Sequence, residues 1–119
     1  MRVARGDVVL VLYPQAPGRV PKRRRAVVVQ SDHNNGRMAN SIFAMITSNT
    51  SLATTEPAQV FVDTSTPEGQ QSGLDHASAI KCENLHTIPT TFVYRKLGSL
   101  PPSLMQQVDD ALKASLSLT

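Results

Sequence analysis

Two hydrophobic rhythms divide this chain. Up to about residue 94 the apolar positions come in short runs, cut apart by clusters of proline, glycine, asparagine and serine; beyond Pro101-Pro102 they recur at helical spacing. The runs predict strands at 8–13 (Val-Val-Leu-Val-Leu-Tyr), 26–30, 41–47, 58–63 and 78–85, with a short sixth at 92–94. Loops are expected at 14–21, 48–51 and 64–73. The cluster Asp32-His33-Asn34-Asn35-Gly36 predicts a turn, with the Asn-Gly pair its strongest local signal. Leu104, Val108, Leu112 and Leu116 lie four apart, with Met105 and Ala111 widening the stripe. They predict an amphipathic helix from Pro102 to Leu116, with proline tolerated in its first turn. No repeat or low-complexity tract interrupts 1–119, so the expectation is one domain, a small bent sheet or partial barrel with one C-terminal helix.

Composition narrows the function. Apolar residues at 40% and charged residues at 18% describe an ordinary globular chain rather than a disordered one. Aromatics at 4%, with no Trp, require an aliphatic core and argue against a base-stacking platform. The net charge of +3 permits an acidic or nucleic-acid partner, and its placement matters more than its sum. Seven of the twelve cations lie in the first 25 residues, and none falls between Met38 and Ile80. One cysteine, Cys82, excludes an internal disulfide and suits a reducing compartment; its Ile-Lys-Cys-Glu-Asn-Leu setting reads as a strand rather than a thiol nucleophile. The first residues carry no signal-peptide pattern and no apolar run reaches membrane length, so a cytoplasmic protein without a membrane partner is expected.

The candidate chemistry sits at the start of the second strand. Lys22, Arg23, Arg24 and Arg25 run directly into Ala26-Val27-Val28-Val29, which puts fixed positive charge at the mouth of a buried element. Arginine's planar fork of donors matches phosphate oxygens and can stabilise charge that develops during phosphoryl transfer. The plainer alternative is a solvated edge that keeps the sheet soluble. His33 sits near the same mouth, whereas His76 and His86 belong to no motif. Asp32 and Asp75 are candidate bases that turn chemistry also explains. No Cys/His cluster has metal-ligand spacing and no Gly-rich phosphate loop is present, so no cofactor is expected.

Several segments together resemble the MazF/PemK family of type II toxin–antitoxin endoribonucleases. They are Arg5-Gly6-Asp7-Val8-Val9, Arg24-Arg25-Ala26-Val27-Val28-Val29-Gln30-Ser31-Asp32 and Ile46-Thr47-Ser48, in that order. Gly73-Leu74, Ser78, Thr87-Ile88, Gly98-Ser99-Leu100 and Asp109, Ala111 and Leu112 of the closing helix extend the similarity to the end. The resemblance implies a mainly β fold with a C-terminal α-helix, an SH3-like small barrel of the CcdB/MazF/PemK type. It also implies a homodimer, a cognate antitoxin and metal-independent cleavage of single-stranded RNA, mRNA in the cell. The family's catalytic pair falls on Arg24 and Thr47. Lys22, Arg23, Arg25, Asn34, Ser48 and Ser78 are the implied RNA contacts.

Three departures from the family pattern bear on this. Arg25 stands where the family usually has proline, so Arg24 and Arg25 can exchange roles. The loop before them lacks the acidic Gly-Ser-Glu-Gln stretch, and Pro89-Thr90 replaces the frequent Asp-Lys. The chemistry itself asks little of a protein, because RNA carries its own 2′-hydroxyl nucleophile. In-line positioning and donors around the phosphorane suffice, and the expected products are a 2′,3′-cyclic phosphate and a 5′-hydroxyl. Arg24, protonated below about pH 12, stabilises charge better than it donates a proton. Two alternatives remain: a gyrase poison resembling CcdB, which shares the fold and acts through its terminal helix, and an inactive binding module.

Overall fold

The computed structural model describes residues 2–13 and 17–119. Its strands are β1 (Asp7–Tyr13), β2 (Lys22–Val28), β3 (Asn40–Thr47), β4 (Gln59–Val62), β5 (Ser78–Pro89) and β6 (Val93–Ser99). Its helices are α1 (Asp32–Asn35), α2 (Pro67–Gln71) and α3 (Pro102–Leu116), with a 3₁₀ turn at Thr90–Phe92. All six strands form one antiparallel sheet in the order β4-β5-β3-β2-β1-β6. β4 and β6 are its two edges and do not bond to each other, so the barrel is open on one side. Its curvature comes from register shifts at Ala44/Met45 between β3 and β5, and at Val8/Val9 and Leu10/Val11 between β1 and β6. Each such irregularity bends its strand.

Both faces of the central strands are buried. Val8, Val27, Ala44, Ile46 and Ile80 share one apolar cluster with Leu104, Val108 and Ala111 of α3. Val9, Val11, Ala26, Val28, Phe43 and Met45 share the other. Neighbouring residues alternate between the two clusters, as the two-residue period of a strand requires. That is why β1 and β2 read as unbroken apolar runs instead of alternating ones.

The Arg5-Gly6-Asp7 segment ties three elements together. The Arg5 amide donates to Asp32 Oδ1 at 2.7 Å, its Nε donates to the Val29 carbonyl at 2.9 Å, and its Nη2 pairs with Asp109 Oδ1 of α3 at 2.7 Å. Gly6, with φ of 93°, passes under Met105 of the same helix in a conformation that a side chain would strain. The backbone N–H of Arg5 and the Asn35 amide hold the Asp32 carboxyl below the usual carboxylate range. With its folded value depressed, this carboxylate supports stability above its unfolded value and withdraws that support as pH falls through the folded one.

The expected elements appear in the expected order, with instructive differences at their ends. The helix keeps its predicted bounds, yet Leu116 is 53% exposed, because only Leu104, Val108 and Ala111 are buried beneath it. The turn expected at 32–36 is a one-turn helix that Asn35-Gly36 closes. Gly36 stays at φ −77°, and the Asn35 amide oxygen is taken by Gln30 Nε2 at 2.9 Å and Ser41 Oγ at 2.8 Å. Part of the loop expected at 64–73 is α2, capped by the Thr66 hydroxyl with proline in its first turn. At its far end Gly73, with φ of 75°, lies so close to β6 that a Cβ would overlap the Leu97 carbonyl. Residues 14–16 of the expected 14–21 loop lie outside the described residues. No helix among the described residues is long and apolar enough to cross a membrane.

Candidate functional site

β2 has different partners along its two halves. Against β3 it pairs only through Ala26↔Met45, Val27↔Ala44 and Val28↔Phe43. Its outer half, Lys22 to Arg25, pairs with Tyr13 to Leu10 of β1, while the outer half of β3 follows β5. The two strands therefore part beyond Ala26 and Met45, and a groove of about 440 Å³ opens between them. Carrying the β2–β3 register two residues outward sets Arg24 opposite Thr47. Arg24 continues the Ala26 and Val28 face, and Thr47 continues the Phe43 and Met45 face, so the two residues lie on the same side of the sheet. Both line the groove.

The rest of the lining sets its electrostatics. β2 contributes Arg23 and Arg25 beside Arg24, β3 and its end contribute Met45, Ile46 and Ser48, and β1 contributes Leu10 and Tyr13. β5 adds Lys81 and Asn84. Four cations and no carboxylate line this groove, so it favours an anion with several charges spaced along it. The Thr47 hydroxyl oxygen accepts the Asn49 N–H at 3.1 Å, which fixes the side chain and leaves its own proton to donate.

The three arginines are not equivalent. Arg24 is exposed and makes no hydrogen bond or ion pair among the described residues. The Arg23 guanidinium stacks 3.8 Å over the Tyr94 ring. Arg25 donates from Nη1 to His76 Nε2 at 3.3 Å and lies 3.6 Å from Asp75 Oδ1. His76 in turn holds Asp75 through Nδ1 at 2.6 Å, so Arg25 closes a chain of three polar groups. Arg24 is the one of the three whose guanidinium has neither a ring nor a hydrogen-bonding partner among the described residues.

Other residues singled out from the sequence lie elsewhere. Lys22 is exposed at the start of β2, outside the groove lining. Asn34 sits in α1, where its amide oxygen accepts both Nη2 and Nε of Arg37, at 2.8 and 3.1 Å. Ser78 is fully buried and its hydroxyl donates to the His76 carbonyl at 3.0 Å, so as an RNA contact it is corrected: its side chain cannot reach solvent. His33 lies on α1 beside Asp32, whose carboxylate is engaged by Arg5, and Asp75 is engaged by His76. Among the described residues no group of three His, Cys, Asp or Glu side chains is arranged to hold a metal ion.

Cys82 is buried within β5. Burial pushes its thiol up to about 12, so the thiolate is scarce at neutral pH. The folded protein should therefore stay unlabelled by iodoacetamide for hours at pH 7.5 and take up one equivalent in urea, as read by intact mass. Labelling of the native protein at the rate of a free thiol would contradict the burial.

Tyr13, Lys81 and Asn84 reach the groove without having been legible as site residues. His86 joins two of them from behind. Its Nε2 lies 2.7 Å from Tyr13 Oη and 2.7 Å from Asn84 Oδ1, with the Tyr13 and His86 rings edge to face at 83°. One signal was available for Lys81, a lone cation inside the apolar run Ala79-Ile80-Lys81-Cys82, which marks the outward side of a strand.

Over residues 4–116 the chain matches the family described as PemK-like, MazF-like toxin of type II toxin-antitoxin system. The chain belongs to the PemK/MazF toxin family. It is 36% identical over 108 residues to endoribonuclease MazF6 of Mycobacterium tuberculosis, covering 90% of each chain. To endoribonuclease EndoA of Bacillus subtilis it is 31% identical over 119 residues, covering 99% of this chain and 97% of that one. Its fold matches that of a mycobacterial endoribonuclease solved with its cognate antitoxin, with a TM-score of 0.78 and 19% identity over 98% and 97% of the two chains. The PemK/MazF toxins are thus this chain's relatives along nearly its whole length.

Proposed function

We propose that this protein is the toxin of a type II toxin–antitoxin pair and that it acts as an endoribonuclease on single-stranded RNA. The observation that carries the reading is one groove holding Arg24 and the Thr47 hydroxyl among four cations and no acid. A polyanion threads such a groove, and two donors facing each other across it meet at one phosphate. The substrate's 2′-hydroxyl attacks its own phosphorus, the P–O5′ bond breaks, and the ends are a 2′,3′-cyclic phosphate and a 5′-hydroxyl. Arg24 neutralises the charge that builds on the non-bridging oxygens, and Thr47 positions the phosphate or the attacking hydroxyl. Arg23, Arg25, Lys81 and Ser48 hold the flanking backbone. No metal is needed for this chemistry, since nothing other than the RNA has to be activated as a nucleophile.

The natural substrate is mRNA in the cytoplasm, and the working form is a homodimer. The partner that restrains it is a cognate antitoxin with an acidic, partly disordered tail that folds into the same groove. The family match and the endoribonuclease relatives favour cleavage over the gyrase-poison alternative.

End mapping tests this reading. Purified protein incubated with a long RNA in EDTA should give discrete cuts, each leaving a 5′-hydroxyl that polynucleotide kinase labels without prior dephosphorylation. Intact RNA, or cuts that vanish on metal removal, would defeat it.

A further inference from the structure

The proposed reaction has an unassigned proton. As the P–O5′ bond breaks, its electron pair stays on O5′, and an alkoxide is a poor leaving group unless a proton arrives. Arg24 is a poor source, being protonated to well above neutral pH. Thr47 is a weak acid, and no carboxylate lines the groove. Tyr13 does line it, one diagonal step from Arg24, because Val11 stands opposite Arg24 and Tyr13 is two residues further along the same face of β1.

The polar contacts behind Tyr13 decide where its proton points. The Asn84 side-chain oxygen can only accept, so the 2.7 Å contact requires the proton on His86 Nε2. Tyr13 Oη lies 2.7 Å from that same nitrogen, so the single Nε2 proton is shared between the Asn84 and Tyr13 oxygens. Its own O–H has only the longer 3.3 Å contact to His86 Nδ1 as an alternative to the groove that Tyr13 lines. The phenolate left when Tyr13 gives its proton to a substrate receives the His86 N–H and shares the groove lining with Arg24 and Lys81.

We infer that Tyr13 is a catalytic residue of the proposed ribonuclease, the acid that protonates the departing 5′ oxygen, and that His86 is its positioning residue. The O2′–P bond forms and the P–O5′ bond breaks. O5′ takes the Tyr13 proton, the 2′-hydroxyl proton passes to water, and water later restores the phenol. This assignment rests on the nuclease reading above.

A substrate with sulfur in place of O5′ at the mapped cut tests the step, because a thiolate leaves without protonation. Tyr13→Phe keeps the ring and its edge contact with His86. It should cut ordinary RNA about 10²-fold or more slowly than wild type and the sulfur-substituted RNA within about threefold of it. His86→Leu should show the same recovery, whereas His86→Gln, which keeps an N–H donor, should retain part of the activity on ordinary RNA. A Tyr13→Phe protein as fast as wild type on ordinary RNA, or equally slow on both substrates, overturns the assignment. The nuclease reading would then stand, since the wild type still cuts. A wild type that cuts neither substrate defeats both.

Discussion

Replacing Arg24 with alanine should slow RNA cleavage by roughly 10²–10³-fold, the range seen when one donor to a developing oxyanion is removed. Fold and stability should hardly change, because Arg24 is exposed and makes no hydrogen bond or ion pair among the described residues. Arg24→Lys should recover only part of the loss, as an ammonium lacks the planar fork whose parallel donors match two phosphate oxygens. Arg25→Ala should behave differently. Its guanidinium is occupied by His76 and Asp75, so its removal loosens the chain around residue 75 and weakens RNA binding more than it lowers the maximal rate. Single-turnover kinetics on one defined RNA separates the two outcomes. Full activity in both variants would refute the site, and a collapse confined to Arg25→Ala would move the catalytic role one residue along the strand.

The second large effect is on stability. Val108 is fully buried at the centre of the α3 stripe, between Leu104 and Ala111 and against the core shared with β4 and β5. Val108→Asp removes about 1.5–3 kcal/mol of apolar burial. It also places a carboxylate where several more kcal/mol are lost to desolvation. Against a total of about 5–15 kcal/mol for a domain of this kind, the variant should unfold or shed its helix. Circular dichroism should show lost helix or a melting temperature too low to measure, with dye binding to the uncovered sheet. Leu116→Asp, one side chain from the end of the same stripe, should shift stability by no more than about 0.5 kcal/mol because that residue is already exposed. A folded Val108→Asp with a native melt would show that the helix does not hold the core.

Most of the architecture could be read from the chain because both sides of its central strands are buried. Continuous runs such as Val8 to Leu12 cannot be mistaken for loops, and the 3.6-residue stripe of α3 is unambiguous. The missed ends have a common cause. Lys22 to Arg25 and Arg95 to Lys96 look like loop in a hydropathy pattern, yet they are strand because the β1 backbone pairs with them on either side. Main-chain pairing is blind to side-chain charge.

The site divided the same way. Arg24 and Thr47, both on the groove lining, were legible because Thr47 closes the apolar run of β3 and Arg24 stands two residues before the apolar run of β2. Lys81 and Asn84 come from β5 and Tyr13 from the end of β1; the β3–β5 register with its bend at Ala44/Met45 brings the first two to the groove, and the β1–β2 register brings the third. Ser78 was a plausible contact by type alone, and burial removes it. His86 carried no motif because its significance lies in two hydrogen bonds that no spacing encodes.

The short contact between β2 and β3 also has a kinetic meaning. Three residue pairs fasten the two halves of the sheet along that line, continued by the Val29 and Gln30 amides, which donate to the Ile42 carbonyl. Beyond them, main-chain amides of Lys22 to Arg25 that face away from β1 have no strand to bond and should trade hydrogen for deuterium far sooner than those deep in β3. The protein is thus softest where RNA would enter, and a guest lying in the groove should register as slowed exchange along this one line.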